Sequence, residues 1–231
     1  MNTQSDPDQR SPALVRVGLG HPVVTVDRMT SAVREIREFA KALGTFPPAD
    51  NYYPGVRRVI GEDDGEAWSY VDRMLSDAAS YIAGAFDCDG FDLIEASFSI
   101  VTTAPHLLSP PQRAPHFDGT DPDLIAMLHY LAPAPGSATA YYRHRATGIE
   151  LIDDANLATY VSAARIEKAD GYVQGSNAHY EELHRIEAEP DRLLIYQGAL
   201  LHSGIIPPTL TLDPDPLLGR LTANYFLRLT R

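Results

Sequence analysis

From Gly90 onward this chain of 231 residues reads as strand after strand with no regular helices between them. "FDLIEASFSIVTT", "DLIAMLHYLAP", "TAYYRHR", "DRLLIYQGALLHSGII" and "RLTANYFLRL" alternate in stretches and are rich in residues that suit a pleated surface. Turn pairs such as Pro-Pro, Pro-Gly and Gly-Ala separate them. Strands that succeed one another without crossover helices pair antiparallel. So many of them close naturally as a sandwich or jelly roll.

What precedes this block is different. "ALVRVG" and "PVVTV" are short strand-like pieces. "RMTSAVREIREFAKALG" then places Val33, Ile36, Ala40 and Leu43 at helical spacing, with Gly44 as a stop. "FPPADNYYPGVRR" reads as a proline-rich connection, and a second helix carries Trp68, Val71, Leu75, Ala78 and Ile82. Both stripes read as core contacts. Between "TAYYRHR" and "DRLLIY" an insertion of about 45 residues is expected to hold two helices, 154–168 and 176–188. The expected plan is a loose tail over 1–12 and one domain over 13–231. Residues 13–90 supply strands and helices, 91–231 the β core, and 146–190 a lid over its mouth.

Composition narrows the function. Apolar residues make up 44%, enough for a substantial core, and the net charge is −12 with no long Lys/Arg run. That balance disfavours nucleic acid and anionic membrane as partners. The single cysteine, Cys88, excludes an internal disulfide and has no activating basic neighbour. A metal here would need nitrogen and oxygen ligands. The opening "MNTQSDPDQRSP" lacks the apolar segment of a signal peptide, and no apolar run approaches the ~18 residues of a membrane span. A cytoplasmic setting is the expectation.

"APHFDGTD" offers such ligands. His116 and Asp118 lie two apart, so on a strand they face the same side. His202, in "ALLHSG" at the end of an apolar run, is the best third ligand. Two imidazoles and one carboxylate leave three octahedral positions open, which suits ferrous iron and oxygen chemistry. A zinc hydrolase could use the same ligand types, so the triad alone leaves the reaction open. Arg220 and Thr222 add to it. An inward Arg on an apolar strand requires an anion, and a carboxylate meets it in bidentate fashion. A dicarboxylic keto acid could chelate iron at one end and pair with Arg220 at the other.

The ordered set His116-x-Asp118, His202, Arg220-x-Thr222 resembles the Fe(II)/2-oxoglutarate-dependent dioxygenase superfamily, in style its prolyl-hydroxylase-like branch. The likeness covers roughly residues 90 to 230. "NYYPGVRR" and "YYRHRATG" also resemble a bacterial family of uncharacterised proteins related to these enzymes. The resemblance implies an α+β chain, mainly β, with a double-stranded β-helix core and the two N-terminal helices packed on it. It implies His116, Asp118 and His202 as iron ligands at the catalytic centre, with Fe(II), 2-oxoglutarate and O2 as cofactors. Arg220, Thr222 and Tyr130 would hold the distal carboxylate of 2-oxoglutarate. Relatives have a Gly-Gly turn before the next strand, where this chain has Gly136-Ser137. Related halogenases replace the carboxylate ligand by a small residue, so Asp118 implies hydroxylation, or another oxidation such as desaturation or ring closure.

Strand parity extends the reading. Tyr130 inward takes Leu128 with it and sends His129 to the other face. Arg220 inward takes Thr222, Asn224 and Phe226, and turns Tyr225 away. Thr139 inward takes Tyr141 and Arg143. Asn224, Tyr141 and Arg143 are thus candidate substrate contacts, and a cationic Arg143 would favour an anionic substrate. The expected substrate is a small molecule, amino-acid-derived or carrier-bound. Two alternatives are a cupin-like metal enzyme without 2-oxoglutarate and a non-catalytic jelly-roll binding protein; Arg220-x-Thr222 favours the dioxygenase over both. His21, His106, His144, His179 and His184 read as structural or surface residues, and Asp213 and Asp215 as solvated. Oligomeric state is not constrained.

Overall fold

The computed structural model describes residues 10–231. Most of the expected loose tail therefore lies outside the described residues, and its last two positions already belong to a strand. That strand, β1 (Ser11–Val17), makes an antiparallel hairpin with β2 (His21–Asp27), closed by Gly18 and Gly20 at positive φ. α1 (Val33–Ala42) buries Ile36 and Ala40 and gives way to Gly44 at φ 81. α2 (Glu66–Phe86) buries Tyr70, Val71, Met74, Ala78 and Ile82. Trp68 and Leu75 flank that stripe, half-buried.

β3 (Gly55–Val59) lies within what reads in sequence as a connection. Three prolines and a Tyr-Tyr pair disguise it, and it is an edge strand, where short length is tolerated. β4 (Gly90–Val101), β5 (Leu124–Tyr130), β6 (Ala138–His144), β8 (Leu193–Gln197), β9 (His202–Ile205) and β10 (Leu221–Thr230) fall where alternation places them. α3 (Leu157–Ala164) is the first helix of the insertion. The second expected helix, 176–188, is instead a strand, β7 (Tyr180–Glu187). Its apolar residues, Tyr180, Leu183 and Ile186, are three apart and imitate a helix. A bulge causes this: the register with β6 jumps between His184↔Tyr141 and Glu182↔Tyr142, leaving Leu183 as the extra residue. Tyr180 consequently packs outward with Tyr142, and Leu183 and Ile186 inward with Tyr141.

Two antiparallel sheets result, a jelly roll with orders β1-β2-β8-β5-β10-β4-β3 and β7-β6-β9. α1 and α2 cover the outer face of the large sheet over Phe98, Ile100, Met127, Ile195 and Tyr225. Between the sheets lie Val17, Tyr130, Tyr141, Leu194 and Tyr196. Behind the small sheet, Tyr160 of α3 and Val173 pack on Ala140, Tyr142 and Leu201. The insertion thus backs the small sheet rather than forming a helical lid; of its residues, Tyr172 alone lines the central cavity.

A buried polar clamp fastens α2 to the large sheet. His129 points to the helix side, as parity predicts, and its Nδ1 meets the Tyr70 hydroxyl at 2.7 Å. Its Nε2 meets Asp191 at 3.0 Å. Asp191 also accepts bonds from the Thr30 and Ser31 N–H groups ahead of α1. α1 in turn holds the irregular loop 206–220. Arg37 donates to the Leu217 carbonyl and Lys41 pairs with Asp215, so Asp215 is engaged rather than free in solvent. Asp213 accepts the Asp215 N–H at 2.8 Å.

Candidate metal centre and its cavity

The segment carrying His116 and Asp118 is not a full strand but hangs on the small sheet by main-chain bonds. His116 N–H donates to the His202 carbonyl and His202 N–H to the His116 carbonyl, both at 2.8 Å. Asp118 N–H donates to the Gly198 carbonyl at 2.7 Å. Alternation across these contacts turns both side chains to the same side. Nε2 of His116 lies 3.8 Å from Asp118 Oδ1, and Nε2 of His202 3.7 Å from Asp118 Oδ2. One ligand atom from each residue falls within 4.8 Å of the other two. Two ligands about 2.1 Å from a shared ion stand roughly 3–4 Å apart, so the carboxylate–imidazole distances already fit and a small inward turn of the rings closes the set.

The electrostatics fit a cation. His202 Nδ1–H donates to the Leu200 carbonyl at 2.7 Å, which leaves the Nε2 lone pair facing its partners. Burial pushes the His202 pKa down to about 4. For His116, 53% of the side-chain surface is open to the cavity, yet desolvation by the surrounding walls, with His202 beside it, lowers the pKa to about 4. Both imidazoles are therefore neutral at neutral pH, as ligands must be. Burial raises Asp118 to about 6, partly offset by His116. Asp118 Oδ2 is buried without any hydrogen-bond partner. A buried carboxylate oxygen with an unused lone pair and two neutral nitrogens alongside matches the ligand set of a divalent transition metal.

The triad opens into a cavity of about 370 Å³. Arg220 lies on the same wall, 5% exposed, with its Nε buried and unbonded. No carboxylate among the described residues pairs with it. Its guanidinium carbon sits 5.9 Å from the Tyr130 ring centre, and the Tyr130 hydroxyl meets Thr139 Oγ1 at 2.5 Å. Thr222 is buried beside Arg220 and shares the wall with Asn224 and Phe226, as parity predicts, while Tyr225 packs on the helix side. Strand pairing puts four residues in one row: Arg57 opposite Ser99, Ser99 opposite Thr222, Thr222 opposite Tyr130.

The three expected substrate contacts divide. Asn224 lines the cavity and donates to Ser99 Oγ at 3.0 Å. Tyr141 is wholly buried behind the wall, edge-on to Tyr196 at 5.5 Å, and does not line it. Arg143 is not a cavity residue either. Its Nε donates to Glu150 at 2.8 Å and its terminal nitrogen to Glu181 at 3.1 Å, so two carboxylates already neutralise it. It shares a face with Thr139 but stands at the far end of β6, and the case for an anionic substrate built on it falls. The Gly136-Ser137 turn manages with one residue at positive φ, Gly136 at 80°.

Sequence reasoning missed Tyr53, Arg57 and Tyr172, all on the cavity wall. Tyr53 and Arg57 belong to "NYYPGVRR", where alternation through "GVRRV" could have put Arg57 on one face and Arg58 on the other. Arg57 pairs with Glu95, whereas Arg58 pairs with Asp64 outside the cavity.

Solved structures sharing this fold are iron- and 2-oxoglutarate-dependent enzymes. HygX from Streptomyces hygroscopicus, solved with nickel and 2-oxoglutarate, is 14% identical with a TM-score of 0.52, over 90% of this chain and 83% of that one. The non-heme alpha ketoglutarate dependent epimerase SnoN from nogalamycin biosynthesis is 12% identical with a TM-score of 0.51, over 92% and 79%. The viral collagen prolyl hydroxylase from Paramecium Bursaria Chlorella virus-1 is 12% identical with a TM-score of 0.49, over 90% and 96%. No curated protein matches the sequence. A family model matches residues 8–227, nearly the whole chain, and the protein belongs to that family, DUF6445, a family of unknown function.

Proposed function

We propose that the protein is a non-haem Fe(II)- and 2-oxoglutarate-dependent oxygenase that hydroxylates, or otherwise oxidises, an unactivated C–H bond of a small substrate. The observation that carries this is Arg220: a buried guanidinium with no acidic partner, on the wall of the cavity that holds His116, Asp118 and His202. A metal enzyme without 2-oxoglutarate would leave that charge uncompensated, at a cost of several kcal/mol. The fold shared with HygX, solved with 2-oxoglutarate, supports the same reading.

In this mechanism His116, Asp118 and His202 hold the metal. A ferrous ion held there with 2-oxoglutarate and O2 would supply the oxidising chemistry for the C–H bond, coupled to conversion of 2-oxoglutarate to succinate and CO2. Arg220 and Thr222 would bind the distal carboxylate; Tyr130, expected to bond it too, stands behind the wall with its hydroxyl on Thr139 and its ring beside Arg220. Leu128, Phe117, Phe226 and Tyr196 exclude water from the reacting end. Charge also bears on the substrate. Arg57 is paired with Glu95, and Arg220 would be paired with the cosubstrate. Among the described residues the cavity then retains no free cation to meet an anionic group, and its lining favours a largely apolar group for oxidation, with Asn224 and Gln112 as hydrogen-bonding walls. A neutral portion of an amino-acid-derived or carrier-bound molecule meets that description.

The test is anaerobic titration of the Fe(II)-loaded protein with 2-oxoglutarate, followed by oxygen and measurement of succinate. Tight metal-dependent binding and slow succinate formation are expected. Arg220→Ala should weaken 2-oxoglutarate binding roughly 100-fold, the scale of a lost pair of charge-assisted hydrogen bonds, and leave metal affinity unchanged. Failure of the iron-loaded wild type to bind 2-oxoglutarate would overturn the assignment.

A further inference from the structure

We infer that the Tyr53 hydroxyl is a hydrogen-bond donor to the distal carboxylate of the keto-acid cosubstrate, which makes the loop ahead of β3 part of the cosubstrate site. The inference rests on the 2-oxoglutarate reading above and deepens it.

Tyr53 comes from a segment with no place in the metal centre, yet its hydroxyl is buried in the cavity wall and has no hydrogen-bond partner. An orphaned buried hydroxyl costs roughly 1–3 kcal/mol. Another tyrosine of the wall, Tyr172, shows what a satisfied one does: its hydroxyl donates to the Thr103 carbonyl at 2.7 Å. Tyr53 instead faces Arg220 and lies beside the Thr222 hydroxyl, too poorly placed for a full hydrogen bond and already accepting from Asn224 at 3.4 Å, with Arg57 also near. Guanidinium groups only donate. Arg57 has Glu95 as its acceptor, whereas Arg220 Nε and the Tyr53 phenol have none. A carboxylate, with about four lone-pair sites, is the group that satisfies both. Burial raises the Tyr53 pKa, and Arg220, the neighbouring Thr222 hydroxyl and Arg57 oppose it; the net shift is upward, so the phenol keeps its proton and can donate.

The hydroxyl is also held in place in advance of any ligand. Tyr53 N–H donates to Asn51 Oδ1 at 2.9 Å, and its carbonyl accepts the Gly55 N–H at 2.9 Å. The Pro54 carbonyl accepts the Thr102 and Thr103 N–H groups, both at 3.2 Å, at the end of β4. Gly55 passes so close to β4 that a Cβ there would stand 2.0 Å from the Ile100 carbonyl oxygen. The loop is thus stapled to the strand that carries Ser99, the residue directly opposite Thr222. A stapled loop holding out an unpaired donor is built for an acceptor that arrives from outside.

Tyr53→Phe removes one oxygen atom and tests the assignment. Metal-loaded wild type and variant are titrated with 2-oxoglutarate and with 2-oxovalerate, a keto acid of the same length that lacks the distal carboxylate. The variant should bind 2-oxoglutarate about tenfold more weakly and 2-oxovalerate equally well. Melting temperatures give a second reading: without keto acid the variant should be as stable as wild type or more so, and with saturating 2-oxoglutarate less stable. An unchanged 2-oxoglutarate affinity, equal weakening of both keto acids, or a lower melting temperature in the absence of keto acid would each overturn the role. If wild type itself binds no 2-oxoglutarate, the parent assignment fails first, and that outcome is distinct from the others.

Discussion

Asp118 is held at a disadvantage. Its carboxylate is buried, its Oδ2 accepts no hydrogen bond, and burial raises its pKa to about 6. A site tuned to bind a cation has this signature, because the ion supplies the interaction the fold withholds. Asp118→Asn should therefore leave the metal-free protein as stable as wild type or more so, while metal affinity falls by at least 100-fold. Thermal melts with and without Mn(II) check both halves. Gly55→Ala is the opposite kind of change. Its methyl meets backbone rather than a yielding side chain, so β3 must move off β4, at roughly 3 kcal/mol or more; denaturant melts measure it. At this scale the sequence pointed to His116 with Asp118 and Arg220 with Thr222 by alternation, and to His202 by its place after an apolar strand; the structure brings the five to one cavity. Tyr53 escaped because a loop side chain has no period to betray its direction. Arg143 misled because parity gives a face and not a position along it, and the far end of β6 carries Glu150 and Glu181 instead of the cavity.

Among the elements, the clamp made by Tyr70, His129 and Asp191 joins α2, the large sheet and the approach to α1. Asp191 adopts φ 63°, a strained conformation for a residue with a side chain, and the hydrogen bonds explain why it is kept there. Burial alone would raise its pKa, but the bonds from His129, Thr30 and Ser31 outweigh that and bring it below the usual 3.8. The bonded carboxylate thus adds stability at pH values above its unfolded pKa, and that contribution disappears as pH falls through the lower folded value. Asp191→Asn should be less stable than wild type at pH 7 by roughly 2 kcal/mol and should show a flatter loss of stability on acidification, read from urea melts between about pH 6 and 3. Parity located His129 on the helix side in advance; its partners lie 59 and 62 residues away, beyond any local pattern. β7 shows the complementary failure. A single bulged residue, Leu183, converts a period of two into an apparent spacing of three.

For the whole molecule, ligand binding should register as stability. A ligand at 100 times its Kd adds about 2.7 kcal/mol to the folded state, which for a domain of this size is a rise of about 5–10 °C in Tm. Mn(II) should produce such a step, and 2-oxoglutarate a second one that requires the metal. In Arg220→Ala the first step should remain and the second should vanish. The architecture was legible at this scale because its cause is simple: a succession of strands with no crossover helices leaves an antiparallel closure as the outcome. The placement of the insertion was not, since nothing local tells Tyr160 that it will pack behind the small sheet instead of across the mouth.

The reciprocal main-chain bond between His116 and His202 has a bearing on how such a protein can change over time. The spacing of the two imidazoles is set by carbonyls and amides, which every residue type possesses, and not by the side chains around them. Phe117, Leu128, Gln112 and Phe226 can therefore be exchanged, and the cavity reshaped for a different guest, while the pair of nitrogens stays where it is. Heritable novelty in this fold is cheapest in the lining and dearest in the backbone that joins two histidines.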